Sequence, residues 1–144
     1  MSKPTIYKEA FDLLCRNKIG SGVHRDVFEC HLDKTLVVKV ENDLPWRFFA
    51  NVLEDKFWAD HQHCKAIAKW LAPTVYMSPD GLILLQKRCE PLRDTDKLPS
   101  RLPSFLTDIK RENFGWLDGR IVCFDYALNI PSPSTKLQKA DWKR

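Results

Sequence analysis

The 144-residue chain lacks long apolar runs, CxxC pairs, runs of five like charges and internal repeats. Its apolar runs, such as Leu82–Leu85, fall far short of the about 20 residues that a membrane-spanning helix needs, which excludes a membrane protein of that type. No charged-then-apolar leader opens the sequence, so a cytoplasmic location is expected. The net charge of +4, from 23 basic against 19 acidic residues, is spread along the chain. That argues against a dedicated nucleic-acid surface. Five cysteines (Cys15, Cys30, Cys64, Cys89 and Cys123) are scattered and odd in number. They read as reduced thiols used as small core residues. The cluster His61-Gln62-His63-Cys64 has no second group to close a zinc tetrahedron, so it reads as a polar helix end.

What is present is a globular balance. Apolar residues make up 44% and charged residues 29%, enough to bury a core and too structured a mixture for a disordered or collagenous chain. The length fits one domain. Residues 7–15 read as a short helical or extended lead-in. Val27–Cys30 and Leu36–Val40 flank the turn pair Asp33-Lys34, which predicts a hairpin. After Pro45 the period becomes helical, with Phe48, Phe49, Val52, Leu53, Phe57 and Trp58 three and four residues apart. A weaker helical stretch, Ala66–Leu71, stops before Pro73. Thr74–Met77 and Leu82–Gln86 flank Pro79-Asp80-Gly81 and predict a second hairpin. Residues 89–104 read as a surface connector. Phe114–Leu117 and Ile121–Phe124 flank Asp118-Gly119, the pair favoured in type I′ turns, and predict a third hairpin. Residues 129–144 read as a mobile tail. The expected class is α+β, a small antiparallel sheet with one main helix plus a separate hairpin.

Four stretches carry candidate chemistry. Gly20-Ser21-Gly22, before Val27, leaves backbone N–H groups able to approach phosphate oxygens closely. Lys39 lies among valines on a predicted inner strand and is costly to bury without a partner. Glu54, on the inward face of the helix, would neutralise it, with Asp55 as the neighbouring competitor. The fourth stretch joins Asp108, Lys110 and Asn113 to Asp125. Asp108 would accept a hydroxyl proton and Lys110 would offset charge on a moving phosphoryl group. Asn113 and Asp125, brought together at the open end of the third hairpin, would supply oxygen ligands to Mg²⁺.

On these residues the chain resembles the protein kinase-like fold, over roughly residues 19–128. Gly20-x-Gly22-x-x-x-x-Val27 is similar to its glycine-rich loop and Val37-Val38-Lys39 to its strand-three lysine motif. Glu54 corresponds to the C-helix glutamate, Asp108-x-Lys110-x-x-Asn113 to the catalytic loop, and Asp125-Tyr126-Ala127 to the metal motif. The resemblance implies an N-lobe-like part (17–88), a connector (89–104) and a catalytic and metal hairpin (105–128) within one minimal domain (1–128). It implies ATP and Mg²⁺ as cofactors. Adenine would lie against Val27 and Val37 and meet backbone groups around Gln86–Arg88. Compact kinase-like proteins of this kind look similar to some encoded by bacteriophages.

The departures are as informative. Arg25 stands where a third glycine is expected, Leu106-Thr107 where a His-Arg pair would precede the aspartate, and Ala127 where the metal motif has glycine. The connector is too short for the two helices that lead into the catalytic loop, so a full helical C-lobe is not expected. Two functions follow. One is an ATP- and Mg-dependent phosphotransferase, its acceptor left open, with a protein substrate among the candidate partners. The other is a non-catalytic kinase-like protein that docks on a host protein, with Phe105, Phe114, Trp116 and Phe124 as candidate cover for the absent lobe's surface. A homodimer would supply the same cover. Nucleic-acid binding through Trp46, Trp70 and Trp116 lacks a clustered basic–aromatic stripe and ranks last.

Overall fold

The computed structural model describes residues 5–42, 48–128 and 134–142. Helix α1 (Thr5–Leu14) runs directly into β1 (Cys15–Ser21), followed by β2 (Arg25–Cys30) and β3 (Leu36–Glu41). Then come α2 (Ala50–His61), α3 (Lys65–Ala68), β4 (Thr74–Met77) and β5 (Ile83–Lys87). The remainder holds β6 (Glu90–Pro91), β7 (Arg101–Pro103), a 3₁₀ turn (Arg111–Asn113), β8 (Phe114–Leu117), β9 (Arg120–Cys123) and β10 (Leu137–Lys139). Strands β1-β2-β3-β5-β4 form one antiparallel sheet, β6-β8-β9 a second, and β7 with β10 a two-stranded pair. The class is α+β, with three α-helices among the described residues and no full helical lobe. None of those helices is long and apolar enough to cross a membrane.

The turns follow from local chemistry. Asp33 Oδ1 accepts bonds from the backbone N–H and hydroxyl of Thr35 (2.9 and 2.7 Å), closing β2 onto β3. Asp80 Oδ1 does the same for Leu82 N–H and the Ser78 hydroxyl (3.0 and 2.7 Å) beside Gly81 at φ 75°. Between β8 and β9, Asp118 (φ 50°) and Gly119 (φ 79°) both take positive φ, as a type I′ turn requires.

The outer face of the large sheet is covered by α1. Cys15, Cys30, Leu36 and Val38 pack there with Leu14 and Phe28, and Phe11 meets Phe28 edge-on at 5.2 Å. The larger apolar cluster takes Phe57 from the second half of α2, buried together with Leu71, Phe105, Leu106, Phe114 and Tyr126. A parallel bridge ties the two parts. Cys123 N–H donates to Trp70 O (2.7 Å) and Ala72 N–H to Cys123 O (2.9 Å), which fixes the chain two residues before Asp125.

Four expectations are corrected. The stretch 89–104 carries β6 and β7, with Leu102 buried in the apolar cluster. In the tail, β10 pairs in register with β7, Trp142 packs edge-on to Phe114 (5.0 Å), and its indole N–H donates to Pro99 O (2.9 Å). Residues 129–133 and 143–144 of that tail, like Trp46, lie outside the described residues. Helix α2 does not bury its whole apolar stripe: Phe48, Phe49 and Leu53 are exposed, and Ala50, Asn51, Glu54 and Phe57 face inward. Finally, Cys15, Cys30 and Cys123 are core thiols, whereas Cys64 is exposed.

Candidate functional site

Lys39 pairs across the sheet with Val27 and Leu84, while its neighbours Val38 and Val40 pack on the outer face. Alternation therefore turns the Lys39 side chain inward, where it is 2% exposed. Glu54, fully buried on α2, meets it, with Nζ 2.5 Å from Oε1. The ammonium also donates to the backbone carbonyl of Phe124. Asp55, the competitor, points elsewhere and accepts from the Thr74 hydroxyl at 2.7 Å.

A second cation joins them. Arg25, the first residue of β2, is 8% exposed, and its guanidinium forks onto both oxygens of Glu54 (3.1 and 3.2 Å). It donates further to Asn51 Oδ1 (3.2 Å) and Asp125 Oδ1 (2.9 Å). Tyr126 N–H completes the set, donating to Glu54 Oε2 at 2.8 Å. Asn51 ties this network to the sheet through Nδ2, which donates to the carbonyls of Lys39, Gly81 and Leu82. Its own backbone N–H, at the positive start of α2, donates to Glu41 (2.7 Å).

The electrostatics follow from burial and charge. Burial alone would raise the Glu54 carboxyl, but Arg25 and then Lys39 outweigh it and hold the group at about 2, against an ordinary value of 4.5. Burial works against the Arg25 charge too, and Glu54 outweighs it, so the guanidinium is held even more firmly cationic than usual. For Lys39 burial wins over Glu54, and its ammonium is pulled below its ordinary value.

The loop before β8 forms a second polar group. Asn113 is buried, and its Nδ2 donates to the backbone and carboxylate oxygens of Asp108 (3.0 and 3.1 Å). Lys110 Nζ lies 3.6 Å from Asp108 Oδ2, both side chains nearly half exposed. Phe124 N–H donates to Asn113 O at 2.9 Å, which places Asn113 beside the segment carrying Asp125, whose side chain is half exposed.

A cleft of about 830 Å³ joins these pieces. Gly20, Ser21, Gly22, Val27, Val37, Lys39, Gln86, Asp108, Asn113 and Asp125 all line it. Positions 39, 108, 113 and 125 thus share one cavity, with Glu54 buried behind Lys39. Lys110 does not line it but touches Asp108. Gln86 reaches the cleft, yet its amide is turned inward, donating to Ala72 O at 3.3 Å and lying 3.5 Å from Glu54. The backbone N–H groups of Lys87 and Arg88 are engaged by Pro73 O (2.9 Å) and Thr35 O (2.8 Å). Gly20 and Gly22 both have negative φ, and a Cβ on either would meet nothing closer than 3.5 Å.

Two of the network's residues escaped the sequence reading as partners. Arg25 was visible as a bulky cation in a glycine position. Asn51 was visible as a residue one turn before Glu54 on the same helix face. The aromatic residues Phe105 and Phe114, candidates for docking, are core instead. Trp70 and Trp116 do come together, with Lys69, Lys97 and Arg120, around a second groove of about 510 Å³. Both indoles are engaged there, Trp70 by the Lys69 ammonium (5.5 Å to the ring) and Trp116 by Asp96 (2.8 Å). No family model matches the chain, and no curated protein matches it.

Proposed function

We propose that the protein is an ATP-dependent phosphotransferase of minimal kinase-like type, working in this cleft with Mg²⁺. One observation supports the reading: a buried Lys39–Glu54 pair lies at a cleft that Gly20, Ser21, Gly22, Asp108, Asn113 and Asp125 also line. The volume suits a nucleotide, since ligand sites of this kind run from about 300 to 1,000 Å³. The glycines add support. Neither φ nor packing demands glycine at 20 or 22, and the absence of a Cβ at both leaves room for close approach of a ligand to the backbone.

The roles follow from chemistry. Lys39, held by Glu54, offers its remaining N–H to a phosphate oxygen. Asp108 takes the proton of an acceptor hydroxyl as that oxygen forms its bond to the γ-phosphorus and the bond to the β-phosphate oxygen breaks, releasing ADP. Lys110, beside Asp108, offsets charge on the transferred group. Two lining residues have the oxygen donors that a hard cation takes: Asp125 presents a half-exposed carboxylate, and Asn113 has its amide nitrogen on Asp108, so its amide oxygen is the atom on offer. Bound there, Mg²⁺ would neutralise charge on the phosphates.

The test is Mg-dependent ATP turnover or autophosphorylation by the full chain, expected to vanish in Asp108→Ala and Asp125→Ala. Turnover at the parent level in both variants overturns the enzyme reading. Thermal stabilisation by nucleotide without turnover would replace it with the non-catalytic binding protein.

A further inference from the structure

One cation of the cleft has no part in that scheme. Arg25 reaches the cleft wall, yet its terminal nitrogens already serve four bonds: to Asn51, to both oxygens of Glu54 and to Asp125. A guanidinium has four terminal N–H groups, so this one is locked by its neighbours and does not reach out to a ligand. Its effect is on charge. Arg25 and Lys39 lie against Glu54 and Asp125 within a single hydrogen-bonded group, to which the buried Glu41 is joined through Asn51. Removing Arg25 would leave Glu54 with Lys39 and the Tyr126 N–H, and would strip Asp125 of its guanidinium partner as a phosphate comes in. Like charges at such range repel strongly in a partly buried site, and a divalent cation would then have to arrive with the nucleotide.

We infer that Arg25 is the resident counter-ion of Asp125, a positioning residue that lets nucleotide phosphates enter this cleft without a divalent cation. The inference rests on the nucleotide reading above. Arg25 offsets the Asp125 charge through Oδ1, and Lys39 keeps one N–H for the ligand after its bonds to Glu54 and Phe124 O. A metal ion then serves transfer and not capture. The same positive charge beside Asp125 also weakens divalent-cation affinity for that carboxylate.

Calorimetric titration of the full chain with ATP, in EDTA and in Mg²⁺, tests this. Wild-type dissociation constants should agree within roughly tenfold between the two conditions. Arg25→Gln should lose tenfold or more of its affinity in EDTA and recover most of it in Mg²⁺, whereas Arg25→Lys, which keeps the charge, should lie closer to wild type. A merely structural Arg25 would lower both conditions alike. If Arg25→Gln does not fold, Asp125→Asn carries the test: with no carboxylate to compensate, it should bind ATP in EDTA at least as tightly as wild type. Wild-type binding that collapses on chelation overturns the inference and leaves the nucleotide reading standing. Absence of binding in both conditions removes both. Equal metal-free affinity of wild type and Arg25→Gln, or weaker metal-free binding by Asp125→Asn, takes the role away from Arg25.

Discussion

Helix α2 meets the interior with two unlike halves. Its first half presents Asn51 and Glu54 to Lys39 and Arg25, and the contact is a set of directed, charge-assisted hydrogen bonds. Its second half presents Phe57, which lies against the rings of Phe105 (6.1 Å) and Tyr126 (5.8 Å) in the apolar cluster. Apolar packing tolerates volume-conserving exchange. A buried ionic group does not, because each member left alone is an uncompensated charge. Stability can therefore be drawn from the second half while the first half fixes the position of Lys39. The two regions touch at Tyr126, whose backbone serves Glu54 and whose ring belongs to the cluster.

The sharpest way to break this division is Glu54→Ala. It strands Arg25 and Lys39 in a buried site, with Asp125 still in contact with Arg25. A loss of about 3–5 kcal/mol is expected in urea unfolding. Phe105→Ala should cost a similar amount, about 3–5 kcal/mol, by opening a cavity around a fully buried ring. The comparison sharpens when volume is restored. Phe105→Leu should recover most of the loss, and Glu54→Met should recover little, since shape is not what Glu54 supplies.

Acid separates the regions next. The folded state keeps Glu54 ionised down to about 2, whereas its ordinary carboxyl value is 4.5. Its contribution is complete above the upper value and drains as pH falls toward the lower one, roughly 3 kcal/mol in all. Wild-type stability should fall across that window, and Glu54→Gln should lack this component of the fall. Phe105→Ala should keep it. Parallel pH profiles for wild type and Glu54→Gln would show that Glu54 carries no such linkage.

The two halves also differed in how far they could be read from the chain. Lys39 stood out as a lysine among valines on an apolar strand, Glu54 as a carboxylate on the inward face of the helix, and Asp118-Gly119 announced its turn as a favoured type I′ pair. Arg25 was harder to place, since its partners lie 29 and 100 residues away. No local period encodes that meeting. The apolar stripe of α2 misled for a related reason: the ionic group claims Asn51 and Glu54 for the inner face, and rotating the helix to satisfy them leaves Phe49 and Leu53 outside. The pairing of β7 with β10 joins two three-residue strands from distant segments, too short to show alternation. Chemistry was legible where a residue was locally out of place, and illegible where a neighbour came from far along the chain.

The smallest expected effect probes the junction itself. The Tyr126 hydroxyl donates to Ala72 O at 2.7 Å, and Gln86 Nε2 donates to the same carbonyl at 3.3 Å. Tyr126→Phe removes the first bond and leaves the second, so the carbonyl keeps a donor and the ring keeps its packing. A net hydrogen bond of this kind contributes about 1 kcal/mol, and that is the loss expected in thermal or urea unfolding. The backbone N–H of residue 126 still reaches Glu54, so nucleotide affinity should stay at the wild-type level. A stability loss well beyond that, accompanied by weakened nucleotide binding, would mean that the hydroxyl holds the ionic group in place, and that the two regions are coupled through the side chain and not through the backbone alone.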